Sequence, residues 1–264
     1  MKNINLNSDI GEGFGVYDIG NDTEMLKIVN SANIACGFHA GDPNVMDRVV
    51  KQSIKNGVSI GAHPGFNDLW GFGRRQIHMS TDEIEASVAY QIGALQAISA
   101  TNNAIVTHVK PHGALNNMSS LDPDIAAAIA KGVNLVDPKL ILVAVSGSFL
   151  FSAGQALGLT VAAEAYADRS YEDDGNMTSR KYDHAMIKDP EKAAAQVRNI
   201  VIDGYIIANS GKKVPVRADT ICIHGDEPTG PAVAQAVRKM LDREGIAVKP
   251  LPELNFGKQL ISRT

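Results

Sequence analysis

The chain has 264 residues, 44% of them hydrophobic, and a formal net charge of -4. It is long enough to bury a large core, and a length of roughly 250 residues is typical of a (β/α) barrel. A mildly acidic chain without a run of Lys or Arg argues against a nucleic-acid partner and against an anionic membrane surface.

The sequence also argues against membrane insertion and export. No stretch reaches the ~20 apolar residues that span a bilayer, and the N-terminus lacks the apolar core of a signal peptide. Cys36 and Cys222 lie within predicted strands, where free buried thiols are more common than a disulfide framework. We therefore expect a cytoplasmic protein.

The first predicted strand is Asn3 to Asp9, because polar and apolar residues alternate along it. Asn5, Asn7 and Asp9 share the face that should line the interior of a sheet or barrel. The Gly-rich loop that follows resembles a phosphate loop only superficially, since no helix opens on it and Glu12 would repel a phosphate. Asp9 and Glu12 are instead predicted to form a carboxylate pair at the rim.

The second predicted strand runs from Ala32 to Cys36 and leads to His39 and Asp42, which stand beside glycines. Glycine lets the backbone approach a ligand closely, so this loop is a candidate for chemistry. Asp42 has a second interpretation, because an Asp-Pro pair also stands at Asp122 and at Asp189, where it is typical of a helix N-cap. Both interpretations of Asp42 remain open at this point.

Two further strands deliver polar residues in the same way. Val58 to Ala62 leads to His63 and a long Gly-rich loop, where Arg74 is suited either to hold an anion or to stay solvated. Ile105 to Lys110 ends on a lysine two residues before His112. Lysine rarely ends a buried strand unless it is paired, so Lys110 is a functional candidate.

The remaining strands complete the pattern. Leu140 to Val145 ends without a charge, whereas Thr160 to Ala165 delivers Glu164 and then Asp168 and Arg169. Asp219 to Ile223 is followed by His224 and Asp226. Four of the seven histidines thus stand just beyond predicted strands, as expected for a site at the carboxyl end of a parallel sheet: His39, His63, His112 and His224.

Helices are predicted between these strands, at Asp22–Asn30, Pro43–Asn56, Ser80–Thr101, Asp122–Val136, Pro190–Ser210 and Thr229–Glu244. Seven strands that alternate with helices predict an α/β fold, a closed seven-stranded (β/α) barrel. No linker or repeat divides the chain, so residues 1–264 should form one domain. The tail from Val248 onward gives no prediction.

Six ordered motifs resemble the LamB/YcsF family of bacterial ATP-dependent 5-oxoprolinase A subunits. They are NSDIGEG, ANIACGFHAGDP, GAHPGFND with GFGRR, VKPHGALNN, EAYADRSY and CIHGD, and they cover nearly the whole chain. The resemblance implies a seven-stranded barrel related to carbohydrate deacetylases. It also implies the ATP-dependent opening of 5-oxoproline to glutamate, with B and C subunits as partners.

Matching these motifs to those of the family implies a set of site residues in this chain. Those assigned to catalysis are Asp9, Glu12, His39, His63, Lys110, His112 and Glu164. Those assigned to substrate binding, to which we add Arg74, are Asp42, Asp168, Arg169, His224 and Asp226. No residue is assigned to a metal, and whether copies of the chain form a homo-oligomer is left open.

A five-membered lactam is an unreactive amide, so its hydrolysis needs activation, for which phosphorylation of the carbonyl oxygen by ATP is one route. The chain has no Walker sequence, since Gly211-Lys212-Lys213 lacks the upstream glycine and the following Ser or Thr. We therefore expect ATP to bind with or on the partner subunits. Lys110 or Arg169 would bind the substrate carboxylate, and Asp9 or a histidine would deprotonate the attacking water.

Two other functions fit the same residues. The first is a metal-dependent amidohydrolase or deacetylase, since Asp9, His39 and His63 offer the oxygen and nitrogen ligands that Zn, Mn or Fe accept. The second is a non-catalytic subunit whose polar rim holds a ligand or a partner.

Overall fold

The computed structural model describes residues 3–256. Seven parallel strands form a closed barrel, because the last of them pairs with both the first and the sixth. This confirms the predicted seven-stranded (β/α) barrel. In chain order its strands are β1 (Asn3–Ile10), β2 (Ser31–Ala35), β3 (Ser59–His63), β4 (Val106–Val109), β5 (Ile141–Val145), β6 (Val161–Tyr166) and β9 (Thr220–Cys222).

Helices surround the barrel. They are α1 (Asp22–Met25), α2 (Pro43–Lys55), α3 (Thr81–Thr101), α4 (Gly113–Leu121), α5 (Pro123–Val136), α6 (Phe149–Ala156), α7 (Pro190–Arg198) and α8 (Gly230–Arg243). The apolar faces of the helices pack on the outer faces of the strands in one large core. Within residues 3–256, no helix combines the length and the apolar character needed to cross a membrane.

The alternation in β1 places polar groups inside the barrel, as predicted. Ile4 and Leu6 belong to the apolar core outside, whereas the Asn7 side chain donates to Thr220 Oγ1 at 2.7 Å and to Glu164 Oε1 at 3.1 Å. These hydrogen bonds offset the cost of burying polar groups. The barrel interior is therefore a polar network beneath the site.

The predicted helix starts are confirmed. Asp42, Asp122 and Asp189 each accept two backbone N–H bonds at the first turn of α2, α5 and α7. Ser80 and Glu83 form the capping box of α3.

Two predicted helix lengths were wrong. The helix expected over 190–210 leaves α geometry after Arg198, passes through a π-helical turn and ends at Gly204, whose φ of 75° is left-handed. Two short strands follow as an antiparallel pair, β7 (Tyr205–Ile207) and β8 (Lys213–Pro215). The helix expected over 22–30 ends at Met25 and continues as turns.

The structure also contains elements that had no prediction. Helix α4 follows His112, and β10 (Ala247–Val248) extends the barrel sheet beside β1. Leu251 packs with Ile141, Val143 and Ala162, which face the barrel interior. This contact covers the amino-terminal end of the barrel and leaves the polar site at the opposite end.

Candidate active site

A cavity of about 510 Å³ lies at the carboxyl ends of the barrel strands. It brings together eight of the residues singled out in the sequence: Asp9, Glu12, His63, Arg74, Lys110, His112, Arg169 and His224. These residues come from five different strands and the loops after them. The other five residues singled out in the sequence do not line the cavity, and their positions are described below.

Lys110 lies on the cavity floor at the centre of an ion-pair network. Its side chain is 2% exposed, and its Nζ is 2.8 Å from Asp9 Oδ1 and 3.1 Å from Glu164 Oε1. Nζ also lies 3.0 Å from Cys222 Sγ. Burial opposes its charge, but the carboxylates of Asp9 and Glu164, Asp9 foremost, raise the pKa of Lys110 well above its usual value. Lys110 is therefore a permanent cation, held between two carboxylates.

Asp9 bridges this network to the histidines. Its second carboxylate oxygen, Oδ2, is 3.3 Å from His63 Nε2. Burial alone would raise the pKa of Asp9, but its interactions with His63 and Lys110 lower it well below its usual value. Asp9 is thus held as a carboxylate at the cavity floor.

Glu12 and three histidines form a second, adjacent cluster. Glu12 Oε1 lies 3.0 Å from His39 Nε2 and 3.3 Å from His112 Nδ1. His112 Nδ1 is in turn 3.0 Å from His63 Nε2. The rings of His39 and His112 are stacked, with 3.7 Å between centroids. One ligand atom from each of the four residues lies within 4.8 Å of the others, so this cluster could hold a metal ion.

Burial dominates the acid–base behaviour of this cluster. It raises the pKa of Glu12 above its usual value and lowers the pKa of His39 and of His112 well below theirs. The low values mean that both rings are neutral imidazoles, which can donate an electron pair. His39 does not line the cavity but supports Glu12 from behind.

Asp168 and His224 form a dyad after β6 and β9, and one ring nitrogen of His224 lies within 4.8 Å of Asp9 and Cys222. Both carboxylate oxygens of Asp168 lie within 3.0 Å of His224 Nδ1, and Oδ2 accepts the backbone N–H of His224 at 2.9 Å. Although burial opposes it, the contact with His224 lowers the pKa of Asp168. The carboxylate therefore accepts the Nδ1 proton, and Nε2 is the ring nitrogen left for another partner.

The two candidate arginines are held differently. Arg169 is buried and donates to the backbone carbonyls of Ala185 and Thr178, which ties the loop after β6 to the cavity wall. Arg74 is part-exposed at the mouth and forms an ion pair with Asp226, at 2.9 Å between Nη2 and Oδ2. This pair closes one side of the opening.

Asp42 is outside the cavity. Its Oδ1 accepts the N–H groups of Asn44 and Val45 at the start of α2, and its Oδ2 accepts the N–H of Gly15 at 2.7 Å. The geometry thus favours the capping interpretation of Asp42 over a contact with substrate.

Tyr166, Arg180 and Lys181 are among the lining residues that were not assigned to the site from the sequence. Tyr166 donates to Glu164 Oε2 at 2.7 Å, and the spacing of two residues on one strand could have signalled this shared face. Arg180 and Lys181 also line the cavity, although the stretch after Tyr171 has the polar composition that is typical of an exposed surface loop. Composition alone cannot show that such a loop folds back over the barrel mouth.

In the comparison with known proteins, a family model, a sequence relative and a solved structure agree with one another. A model of the LamB/YcsF family matches residues 4–256. The chain is 50% identical over 251 residues to a protein of Natranaerobius thermophilus that is named as the A subunit of 5-oxoprolinase, covering 95% of this chain and 98% of the relative. The structure of a lactam utilization protein from Thermus thermophilus superposes with a TM-score of 0.90 at 43% identity, covering 95% of this chain and 100% of that one.

A more distant likeness concerns the fold alone. A mutant of a CE4 family pseudoenzyme superposes with a TM-score of 0.53 at 12% identity, over 96% of this chain and 67% of that one. The barrel is thus shared with deacetylase-like proteins.

Proposed function

The chain belongs to the LamB/YcsF family, and from this premise we propose that it is the A subunit of an ATP-dependent 5-oxoprolinase. In this role it opens 5-oxo-L-proline to L-glutamate in the cytoplasm, together with B and C subunits. The observation that carries the proposal is a cavity whose floor and walls supply a fixed carboxylate, a histidine dyad and several cations, in a chain half identical to proteins named for this activity.

The substrate carboxylate fits a cationic part of the cavity wall. Arg169 and Arg180 both line the cavity, and, after burial, the charge of Arg180 is the largest influence that lowers the pKa of Arg169. Two guanidinium groups that line the same cavity favour an anion near them, since carboxylates pair well with arginine. Lys110 is less suited to this task because Asp9 and Glu164 already neutralise it.

The His224 dyad is the best placed acid–base group. Asp168 fixes the His224 tautomer, so that Nε2 can take a proton from the attacking water. The water oxygen then bonds to the lactam carbonyl carbon, the ring C–N bond breaks, and the proton on His224 passes to the departing nitrogen. Lys110 keeps Asp9 ionised and in position beside this reaction.

ATP would activate the lactam before this step. Transfer of its γ-phosphoryl group to the carbonyl oxygen, with release of ADP, makes the carbonyl carbon a better electrophile. After water has added and the C–N bond has broken, the product is an acyl phosphate, which a second water hydrolyses to the side-chain carboxylate of glutamate and inorganic phosphate. The chain has no Walker sequence, so we assign ATP binding to the B and C subunits or to their contact with this chain.

Reconstitution tests the proposal. The B and C subunits are assayed for glutamate formation and for 5-oxoproline-dependent ATP hydrolysis, with and without this chain. We expect glutamate to form only in the complete mixture. Equal glutamate formation without this chain would overturn the proposal, as would a complete mixture that hydrolyses ATP but never opens the lactam.

A further inference from the structure

The tautomers of two buried histidines follow from their backbone contacts. His63 Nδ1 lies 2.6 Å from the carbonyl oxygen of Lys110, and His112 Nε2 lies 2.8 Å from that of Phe72. A carbonyl oxygen only accepts hydrogen bonds, so each of these nitrogens carries a proton. The other ring nitrogen, Nε2 in His63 and Nδ1 in His112, is therefore the one available to bind a metal ion.

These two nitrogens face each other. They are 3.0 Å apart, and Glu12 Oε1 lies 3.3 Å from His112 Nδ1 and 4.0 Å from His63 Nε2. Three potential ligand atoms thus converge at a buried point, and Asp9 Oδ2 lies 3.3 Å from the same His63 Nε2. Two imidazole nitrogens and a carboxylate oxygen form a donor set that transition-metal ions accept.

The spacing fits a transition-metal ion. A tetrahedral zinc ion with bonds of about 2.0–2.1 Å holds its ligand atoms roughly 3.3 Å apart, and the three observed separations are 3.0, 3.3 and 4.0 Å. Metal-bound histidines usually donate their other N–H to a carbonyl or a carboxylate. Both rings do so here.

We propose that Glu12, His63 and His112 bind one divalent transition-metal ion, zinc or a close analogue. All three residues line the cavity, so a fourth coordination position faces the space that a small ligand would occupy. His39, with Nε2 3.0 Å from Glu12 Oε1, orients the carboxylate from outside the ligand set. Asp9 is not among the four residues whose ligand atoms all lie within 4.8 Å of one another; its Oδ1 pairs with Lys110, and its Oδ2 lies 3.3 Å from His63 Nε2.

This ligand set differs from that suggested by the sequence. The residue types alone allowed Asp9, His39 and His63, whereas the direction of the ring nitrogens selects His112 and Glu12 with His63. The inference depends on this geometry alone and holds whether or not the chain acts on 5-oxoproline. A bound ion would act as a Lewis acid beside the cavity.

Metal binding to the purified full chain tests the site directly, with no substrate or partner subunit present. The protein is stripped with a chelator and titrated with Zn²⁺ by calorimetry, and with Co²⁺ by its visible absorption. We expect one ion per chain and an intense Co²⁺ band of four-coordinate geometry. Absence of saturable binding up to millimolar Zn²⁺ would overturn the proposal, since a proton shared by the histidines would then explain the cluster.

Variants locate the ion. Glu12→Gln keeps the shape of the side chain, while His63→Ala and His112→Ala remove single ligands, and each should weaken Zn²⁺ binding at least 100-fold. His39→Gln should weaken it about 10-fold to 100-fold, because His39 supports a ligand without being one. The matched control is His184→Ala, an exposed histidine on the loop after β6, which should bind as the wild type does.

Circular dichroism and thermal unfolding show that each variant is folded before its affinity is compared. Folded Glu12→Gln, His63→Ala and His112→Ala proteins that all bind Zn²⁺ with wild-type affinity would place the ion elsewhere and overturn the assignment. Failure of the reconstituted lactam assay with a saturated metal site would count against the proposed function and leave the metal site intact.

Discussion

At the scale of single residues, Lys110 is the site residue whose replacement we expect to reduce stability and turnover most. Lys110→Met keeps most of the side-chain volume but leaves the carboxylates of Asp9 and Glu164 facing each other without a cation. Breaking a buried ion pair from one side typically costs about 3–5 kcal/mol of stability. We expect a folded protein with a lowered melting temperature and no measurable glutamate formation in the reconstituted complex.

The control for Lys110 is Lys131→Met, which removes an exposed lysine paired with Glu85. Surface pairs contribute little, so this variant should match the wild type in both melting temperature and turnover. A Lys110→Met protein with wild-type turnover would remove this lysine from the mechanism.

Asp168 acts through His224. Its substitution therefore shows whether it positions the histidine or binds the substrate. Asp168→Asn keeps the shape of the side chain, but its amide can donate to His224 Nδ1 and so favours the tautomer with the proton on Nε2. We expect kcat for glutamate formation to fall about 10²-fold to 10⁴-fold, with KM for 5-oxoproline changed less than about threefold. Steady-state kinetics over 5-oxoproline concentration measure both.

Asp242→Asn is the control, because this aspartate lies on the exposed face of α8. If Asp168→Asn raises KM and leaves kcat unchanged, the aspartate belongs to substrate binding and the dyad is not the acid–base group.

The residue types at the site could be predicted, but their contacts could not. Polar side chains after a strand signal a site at the strand ends, which is why Lys110, His63 and His224 could be singled out. Nothing in the sequence says that Asp168 faces His224 or that His39 stands behind Glu12, because those contacts depend on how neighbouring strands are aligned. Arg180 could not be found for the same reason.

At the scale of elements, a helix cap accounts for Asp42, a residue that the motifs had assigned to substrate binding. Asp42→Ala removes the acceptor for two N–H groups of α2 and for the N–H of Gly15. Loss of an N-cap aspartate typically costs about 1 kcal/mol, and the additional contact with Gly15 brings the expected loss to about 1–2 kcal/mol. Urea unfolding measures this loss, and we expect turnover and KM to stay at wild-type values.

Asp122→Ala is the matched variant, since it removes the same kind of cap from α5 at a residue that is partly buried, as Asp42 is. Its loss of stability should be about 1 kcal/mol. A KM for 5-oxoproline that rises tenfold or more in Asp42→Ala but not in Asp122→Ala would instead assign Asp42 to the substrate.

Capping patterns are local, which explains why helix starts were easier to predict than helix ends. An Asp-Pro pair specifies an N-terminus within three residues, whereas the end of α7 depends on a left-handed Gly204 and on the pairing of β7 with β8. The apolar residues after Arg198 continue a helix-like pattern, and only the distant strand partner shows that they leave the helix. Helix α4 was missed because it is short, with nine residues, and its apolar face consists of little more than Ala114, Leu115 and Met118.

At the scale of the whole molecule, a closed barrel with a polar interior makes stability depend on buried acids near its rim. Asp22, at the start of α1, is 7% exposed and accepts the N–H of Gly11 at 3.1 Å. Burial raises the pKa of Asp22 to about 6, from 3.8. Between these values the folded chain holds a proton that the unfolded chain has lost.

The direction in which stability changes with pH follows from these two pKa values of Asp22. Because the folded state binds more protons, this aspartate favours the folded state most below about pH 4, and that contribution is lost as the pH rises to about 6 and beyond. A difference of roughly two pKa units corresponds to about 3 kcal/mol at neutral pH. Asp22→Asn cannot ionise and still accepts from Gly11, so it should escape this loss.

Urea unfolding of the wild type and of Asp22→Asn from pH 4 to pH 7.5 measures the effect. The stability of the variant relative to the wild type should rise by about 3 kcal/mol across this range and level off above pH 7. Asp124→Asn, at an exposed aspartate of α5, should show a difference that does not change with pH. A constant difference for Asp22→Asn as well would mean that water reaches this carboxylate in the folded barrel and keeps its pKa near 3.8.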